Sequence, residues 1–299
     1  MANNNKSPQA TQSKRPVNKP PSTKRKQKRA NGAMFAWIAI GLVVAIVAVV
    51  VIVKTTQGSS SGGKQQPVTA VMLKQITKIP ASVYDSVGVT SSISVAPPQV
   101  KQGQPPLYYV ENGKRVPGGF YWGAEYCPYC AAMRWSIIAA YSRFGTFKNL
   151  STMTSSPDDV YPNTPTFTFY GATYSSPYTA FRSYEVVGPL NNGTTLETTP
   201  PKEKALIERY NPQGSFPFID VGNKVLYVGS AYNPGSLGGL SREDIASALN
   251  DPNNEITQAI IATSNYLSAG ICATNGAMPS SVCHSSGVQA AAKKLNLTF

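Results

Sequence analysis

The chain has 299 residues, enough for one large domain or two small ones. It carries 27 Lys+Arg against 14 Asp+Glu, a formal charge of +13, yet residues 1–33 hold nine basic side chains and no acid, while residues 68–299 hold 16 basic and 14 acidic, a net of +2. A globular domain built to bind nucleic acid would carry its excess charge on the folded part, so that role is disfavoured; with 41% hydrophobic residues the chain is not wholly disordered either.

Residues 1–33 are rich in Asn, Lys, Pro, Ser and Gln and are expected to form a disordered basic tail. From Met34 to Val53 run twenty residues without a charge. At ~1.5 Å per residue they span ~30 Å, the thickness of a bilayer core. A signal-peptide core is usually ~7–15 residues and ends at a small-residue cleavage site. The VKTTQGSS that follows offers none, so an uncleaved single transmembrane helix is expected, in contact with membrane lipid. Basic residues on one side and a lone Lys54 on the other put the N-terminus in the cytoplasm. Residues 54–67 read as a flexible linker, and residues 68–299 as a domain outside the cell membrane.

In that domain Val71, Met72, Ile76 and Ile79 make a short amphipathic pattern, and residues 97–106 a Pro/Gly/Gln connector. Residues 107–116 read as a hairpin turning at Asn112–Gly113. Residues 118–126 are an apolar strand leading into Cys127. A helix follows, with Pro128 at its first position, Ala131, Trp135, Ile138 and Ala139 on one face, and Gly145 as its stop. The Thr/Tyr/Phe-rich stretch 147–187 reads as strands and loops. Residues 202–210 form a short helix, and 216–229 a second hairpin around Gly222–Asn223. Ser241 and Asp244 open another helix, and Glu255–Gly270 is a third.

Four cysteines form two pairs, Cys127/Cys130 in a CPYC and Cys272/Cys283 with ten residues between them. Outside a membrane an even count suggests disulfides. A thiol between a strand and a helix start faces unpaired N–H groups and the positive end of the helix dipole, which favour thiolate. A drop in pKa from ~8.5 to ~7 raises the thiolate fraction at neutral pH from ~3% to about half. Cys127 is then the attacking thiol and Cys130 the resolving one. A structural zinc site would need four ligands from four cysteines and the single His284, and the second pair has no knuckle spacing. An inert disulfide within the CPYC is the other bland reading. Cys272 and Cys283 read as a structural disulfide worth ~3 kcal/mol, with a second redox pair as the alternative. The thiol chemistry calls for no cofactor and no metal.

Pro217 opens an apolar strand, where it cannot donate to a ladder. YWGAEYCPYC with its helix, followed by FPFIDVGNK and a last helix, resembles the thioredoxin fold. That resemblance makes Pro217 a cis-proline facing the CPYC and Phe216 the residue that presents its backbone to a substrate strand. Tyr126, Pro128 and Tyr129 would flank the sulfurs. Thioredoxins carry a buried acid six positions before the first Cys, where this chain has Tyr121, so the proton acceptor would be Glu185, Asp220 or water. Glu125 aligns with an exposed position and is expected to be solvated. The stretch before Pro217 is longer than in thioredoxin, which suggests sheet extension or a partner surface. CPYC with Arg134–Trp135, TPTFTFYGATYSSPY (164–178), FPFIDVGNK and SNYLSAGICATNGAMPSSVC (264–283) resemble more closely the family termed domain of unknown function 929, which brings no established reaction.

The expected fold is therefore α/β and thioredoxin-like, with a strand/loop-rich insertion and C-terminal helices after one transmembrane helix. The expected function is a membrane-tethered thiol–disulfide oxidoreductase. Its partners would be thiols or disulfides of exported proteins and a membrane electron donor or acceptor. The rival is an envelope binding module that uses the aromatic insert and retains a non-catalytic disulfide.

Overall fold

The computed structural model describes residues 64–190 and 192–299. The expected basic tail, the span Met34–Val53 and the first part of the linker lie outside the described residues. Among the described residues no helix is long and apolar enough to cross a membrane. In chain order the elements are β1 (Gln66–Pro67), α1 (Ala70–Thr77), α2 (Ala81–Val87), β2 (Gln99–Val100), β3 (Tyr108–Glu111), β4 (Lys114–Ala124) and α3 (Pro128–Tyr141). Then come β5 (Thr146–Lys148), β6 (Ser151–Thr154), β7 (Pro165–Thr168), β8 (Thr173–Ser175), β9 (Ala180–Val187) and α4 (Pro201–Tyr210). The chain closes with β10 (Phe218–Val221), β11 (Val225–Val228), a 3₁₀ turn (Pro234–Leu237), α5 (Arg242–Ala248), α6 (Glu255–Cys272), α7 (Ser280–Cys283) and α8 (Ser286–Leu295).

This is a mixed α/β architecture around one long strand. The first residues of β4 pair with β3 across the predicted turn, where Asn112 and Gly113 both have positive φ (51° and 77°), the conformation that an Asn–Gly hairpin turn requires. The rest of β4 pairs in parallel with β9 and antiparallel with β10, which is antiparallel to β11 in turn. Alternate residues of β4 enter different cores. Tyr121 joins the main one, and Phe120 packs with Tyr109, Ile207, Phe218 and Leu226 on the other.

Several expectations change in three dimensions. β6 and β7 pair with β1 in a separate small sheet, and β5 with β8 in another, so only β9 of the insertion joins the main sheet. The last linker residues, Gln66 and Pro67, belong to the fold through this pairing with β6. Helix α3 is not amphipathic: every residue except Tyr129 is buried, because α6 and β7 pack on it as well as the sheet. Gly145 does not cap α3, which ends at Tyr141; its hydrogen lies where a Cβ would stand 2.4 Å from the Ser175 carbonyl oxygen, so it allows a close chain approach. Val71 is 71% exposed, although Met72, Ile76 and Ile79 are buried as expected. The capping box forms at Ser241 and Asp244, and α2 and α8 add helices that local pattern did not reveal.

Candidate active site

Strand β4 delivers Cys127 to the start of α3. Cys127 is the N-cap, with extended backbone (φ −76°, ψ 122°), and its Sγ accepts the N–H of Cys130 at 3.4 Å. Pro128 follows at the first helical position, where a missing N–H costs nothing. Both thiols are free; Cys127 retains 6% exposure and Cys130 none. The two are driven apart in acidity. A hydrogen bond from the Cys130 side chain, aided by backbone N–H groups and the Arg134 charge, holds the Cys127 thiol below its ordinary range. Burial, and the neighbouring Cys127 sulfur, push the Cys130 thiol well up. Within the pair, Cys127 is the more acidic thiol and Cys130 the one that keeps its proton.

Beneath the sulfurs lies a buried ion pair, of which the sequence offered Glu185 as one possible proton acceptor but gave Arg134 no role in the site. Arg134, one turn beyond Cys130 on α3, forms a two-pronged ion pair with Glu185 of β9: Nε donates to Oε1 at 2.8 Å and Nη2 to Oε2 at 2.7 Å, with both side chains fully buried. Nη2 also donates to the carbonyl of Ala124 at 2.9 Å. The Tyr121 hydroxyl donates to Glu185 Oε2 at 3.2 Å and faces Cys130, whose Sγ accepts the Ala124 N–H at 3.5 Å. Gly123 makes this convergence possible. A Cβ there would stand 2.1 Å from the Tyr121 hydroxyl and 2.9 Å from Cys130 Sγ. The one signal available earlier was an arginine inside an otherwise apolar helix, four residues after Cys130. Its partner is 51 residues away in sequence.

Of the proton acceptors expected, Glu185 is at the thiols. Asp220 is on β10, with Oδ1 accepting the Asn223 N–H at 2.6 Å, and burial raises its pKa to about 7. Glu125 corrects the expectation of a solvated carboxylate. It is fully buried, because residues 64–67 and β7 cover it, and Oε1 accepts from Thr168 Oγ1 at 2.5 Å and Gln65 Nε2 at 2.8 Å. Burial raises its pKa, as it does that of Glu197, whose carboxylate accepts the Glu185 N–H at 2.7 Å.

The expected surface residues are gathered around Cys127. The Phe216–Pro217 peptide bond is cis, and Pro217 is buried. The half-buried Phe216 ring packs on Trp122 (centroids 4.4 Å apart) and edge-on to Tyr126 (6.4 Å), which immediately precedes Cys127. On the far side the exposed Tyr129 meets Tyr161 edge-on at 5.8 Å. Pro128 is buried inside the helix start, so it shapes the turn and presents no surface of its own. Cys272 and Cys283 form a disulfide joining the end of α6 to α7. His284 beside it is exposed and turned toward Ser280. Among the described residues no group of three or more His, Cys, Asp or Glu is arranged to hold a metal ion.

No curated protein and no solved structure matches this chain. A family model does, over residues 106–273, a stretch that contains the CPYC, the Arg134–Glu185 pair and the cis-proline. The chain belongs to the family described as domain of unknown function DUF929.

Proposed function

We propose that this protein is a thioredoxin-like thiol–disulfide oxidoreductase, anchored to the cell membrane through residues 34–53, with its folded domain on the outer face. The observation that carries the reading is the asymmetric dithiol: an acidic Cys127 at a helix start beside a buried, proton-holding Cys130. The strand order β9–β4–β10–β11, with β9 parallel to β4 and β10 antiparallel to both its neighbours, supports the thioredoxin-like reading. So does the cis-proline beside the CPYC.

In the reducing direction Cys127 thiolate attacks one sulfur of a substrate disulfide. A mixed disulfide forms and one substrate thiolate leaves. Cys130 then loses its proton, attacks Cys127 Sγ and releases the second substrate thiolate. The substrate gains two electrons and the protein ends as the Cys127–Cys130 disulfide. The reverse sequence oxidises a substrate dithiol. A membrane electron donor or acceptor resets the pair. The proton of Cys130 travels through the Tyr121 hydroxyl to Glu185, and the Arg134 cation stabilises the negative charge left on sulfur. Phe216, Tyr126 and Tyr129 hold an extended segment of an exported protein across Cys127.

The test uses the reduced full chain in detergent. Thiolate absorbance against pH should give Cys127 a pKa clearly under the ordinary ~8.5. A Cys130→Ser variant should accumulate a mixed disulfide with oxidised glutathione, whereas Cys127→Ser should form none. An ordinary pKa together with no exchange would overturn the enzyme reading and leave a binding module.

A further inference from the structure

Asparagine in the triplet Asn-X-Ser/Thr, with X not proline, is the acceptor of N-linked sugars on chains that lie outside the cell membrane. Residues 68–299 contain three such triplets, Asn149–Leu150–Ser151, Asn192–Gly193–Thr194 and Asn296–Leu297–Thr298. A fourth, Asn5–Lys6–Ser7, falls in the tail expected in the cytoplasm. The fold treats the three differently. Beside Asn149, Leu150 is only 4% exposed, and Ser151 is held in the small sheet opposite Pro67 and Thr168. Asn296 is the left-handed C-cap of α8, and Leu297 after it packs half-buried on the main core. Asn192, Gly193 and Thr194 are exposed at all three positions.

The backbone around Asn192 is a turn closed at its base. Past the end of β9, the Gly188 N–H donates to the Thr194 carbonyl at 3.0 Å and the Leu196 N–H to the Val186 carbonyl at 3.2 Å, while Val187 bridges Thr195. Within the turn Asn192 Oδ1 accepts the Thr194 N–H at 3.1 Å and the Thr194 hydroxyl at 2.6 Å, an Asx turn. These two bonds fix the orientation of the amide, because the flipped form would set N–H against N–H. They leave Nδ2 without a partner among the described residues. Gly193 has a φ of 80°, and a Cβ added there would meet nothing within 4 Å, so the middle of the triplet faces open space. The two side chains that define the triplet therefore already touch, in an accessible turn, with the nitrogen that would react unengaged.

We infer that Asn192 is a site of N-linked glycosylation. The donor would be an oligosaccharide carried on a lipid pyrophosphate. Asn192 Nδ2 gives up a proton to a base of the transferase and bonds to the anomeric carbon. The bond from that carbon to the phosphate oxygen breaks, and the lipid pyrophosphate leaves with the electron pair. No oxidation or reduction is involved. The Val187 carbonyl at the base of the turn accepts the N–H of Glu125 at 2.9 Å, two residues before Cys127, so the sugar would border the thiol site. The inference rests on the outer-face placement proposed above and not on the thiol chemistry.

The test is mass spectrometry of the full chain recovered from the membranes of the cells that make it, after trypsin. Residues 183–202 form one tryptic peptide, in which Asn192–Gly193–Thr194 is the sole triplet. Most copies should be heavier by whole sugar residues, with fragmentation placing the sugar on Asn192. Thr194→Ser should keep the modification and Thr194→Ala should lose it. A bare peptide, a sugar placed on a threonine, or a sugar retained in Thr194→Ala would overturn the inference. Protease treatment of intact cells separates the two readings in the case of a bare peptide. Cleavage of the folded domain leaves the outer-face placement standing and removes the glycan alone; full protection removes both.

Discussion

Replacing Asp220 by Asn should abolish much of the pH dependence of this domain's stability between about pH 5 and pH 8. The Asp220 carboxyl is fully buried on β10, with one oxygen bound to the Asn223 N–H and the other without a partner among the described residues. Burial raises its pKa from 3.8 to about 7. Because the folded value lies above the unfolded one, this group favours the folded state fully below pH ~4 and loses that contribution as pH rises through about 7. A shift of roughly three units corresponds to about 4 kcal/mol when both limits are reached. Across pH 5 to 8 the loss is on the order of 2–3 kcal/mol, since the unfolded carboxyl is already mostly ionised at pH 5. Asparagine keeps the acceptor for Asn223 and cannot ionise. Chemical unfolding of the full chain and of Asp220→Asn at the two pH values isolates this residue, because every other titrating group is common to both. The variant should be the more stable at pH 8, and its advantage should shrink toward pH 5. Equal pH slopes for the two proteins would refute the reasoning and show that Asp220 stays ionised in the folded state.

Two further outcomes concern the group beneath the thiols. Arg134→Met should cost about 3–5 kcal/mol in unfolding free energy, because it leaves Glu185 buried without its cation. The double change Arg134→Met with Glu185→Met should cost much less than the sum of the two single changes, and a double-mutant cycle measures that difference. Gly123→Ala drives a methyl into the Tyr121 hydroxyl and Cys130 Sγ. It should destabilise the fold by about 1–3 kcal/mol in thermal or chemical unfolding and slow the release of the mixed disulfide in a quenched exchange assay.

Much of this protein was legible from short-range signals. Asn112–Gly113, Gly222–Asn223, the Ser241/Asp244 box and Pro128 after Cys127 each act through their own backbone and the next few residues, so their turns, caps and helix start could be read locally. The CPYC likewise announced two thiols with unequal exposure to a helix start, which the structure brings to one site with Phe216 and Pro217. What could not be read locally depended on residues far apart in the chain. Glu125 looked like a surface carboxylate until Gln65, 60 positions earlier, and Thr168, 43 positions later, covered it. The strands of the insertion had the right composition, but which strands they joined was decided by packing, and β1 rather than β4 took β6. The pairing of Arg134 with Glu185 was settled only when β9 came to lie parallel to β4 and brought Glu185 opposite Gly123, because a buried charge selects its partner in space and not along the chain.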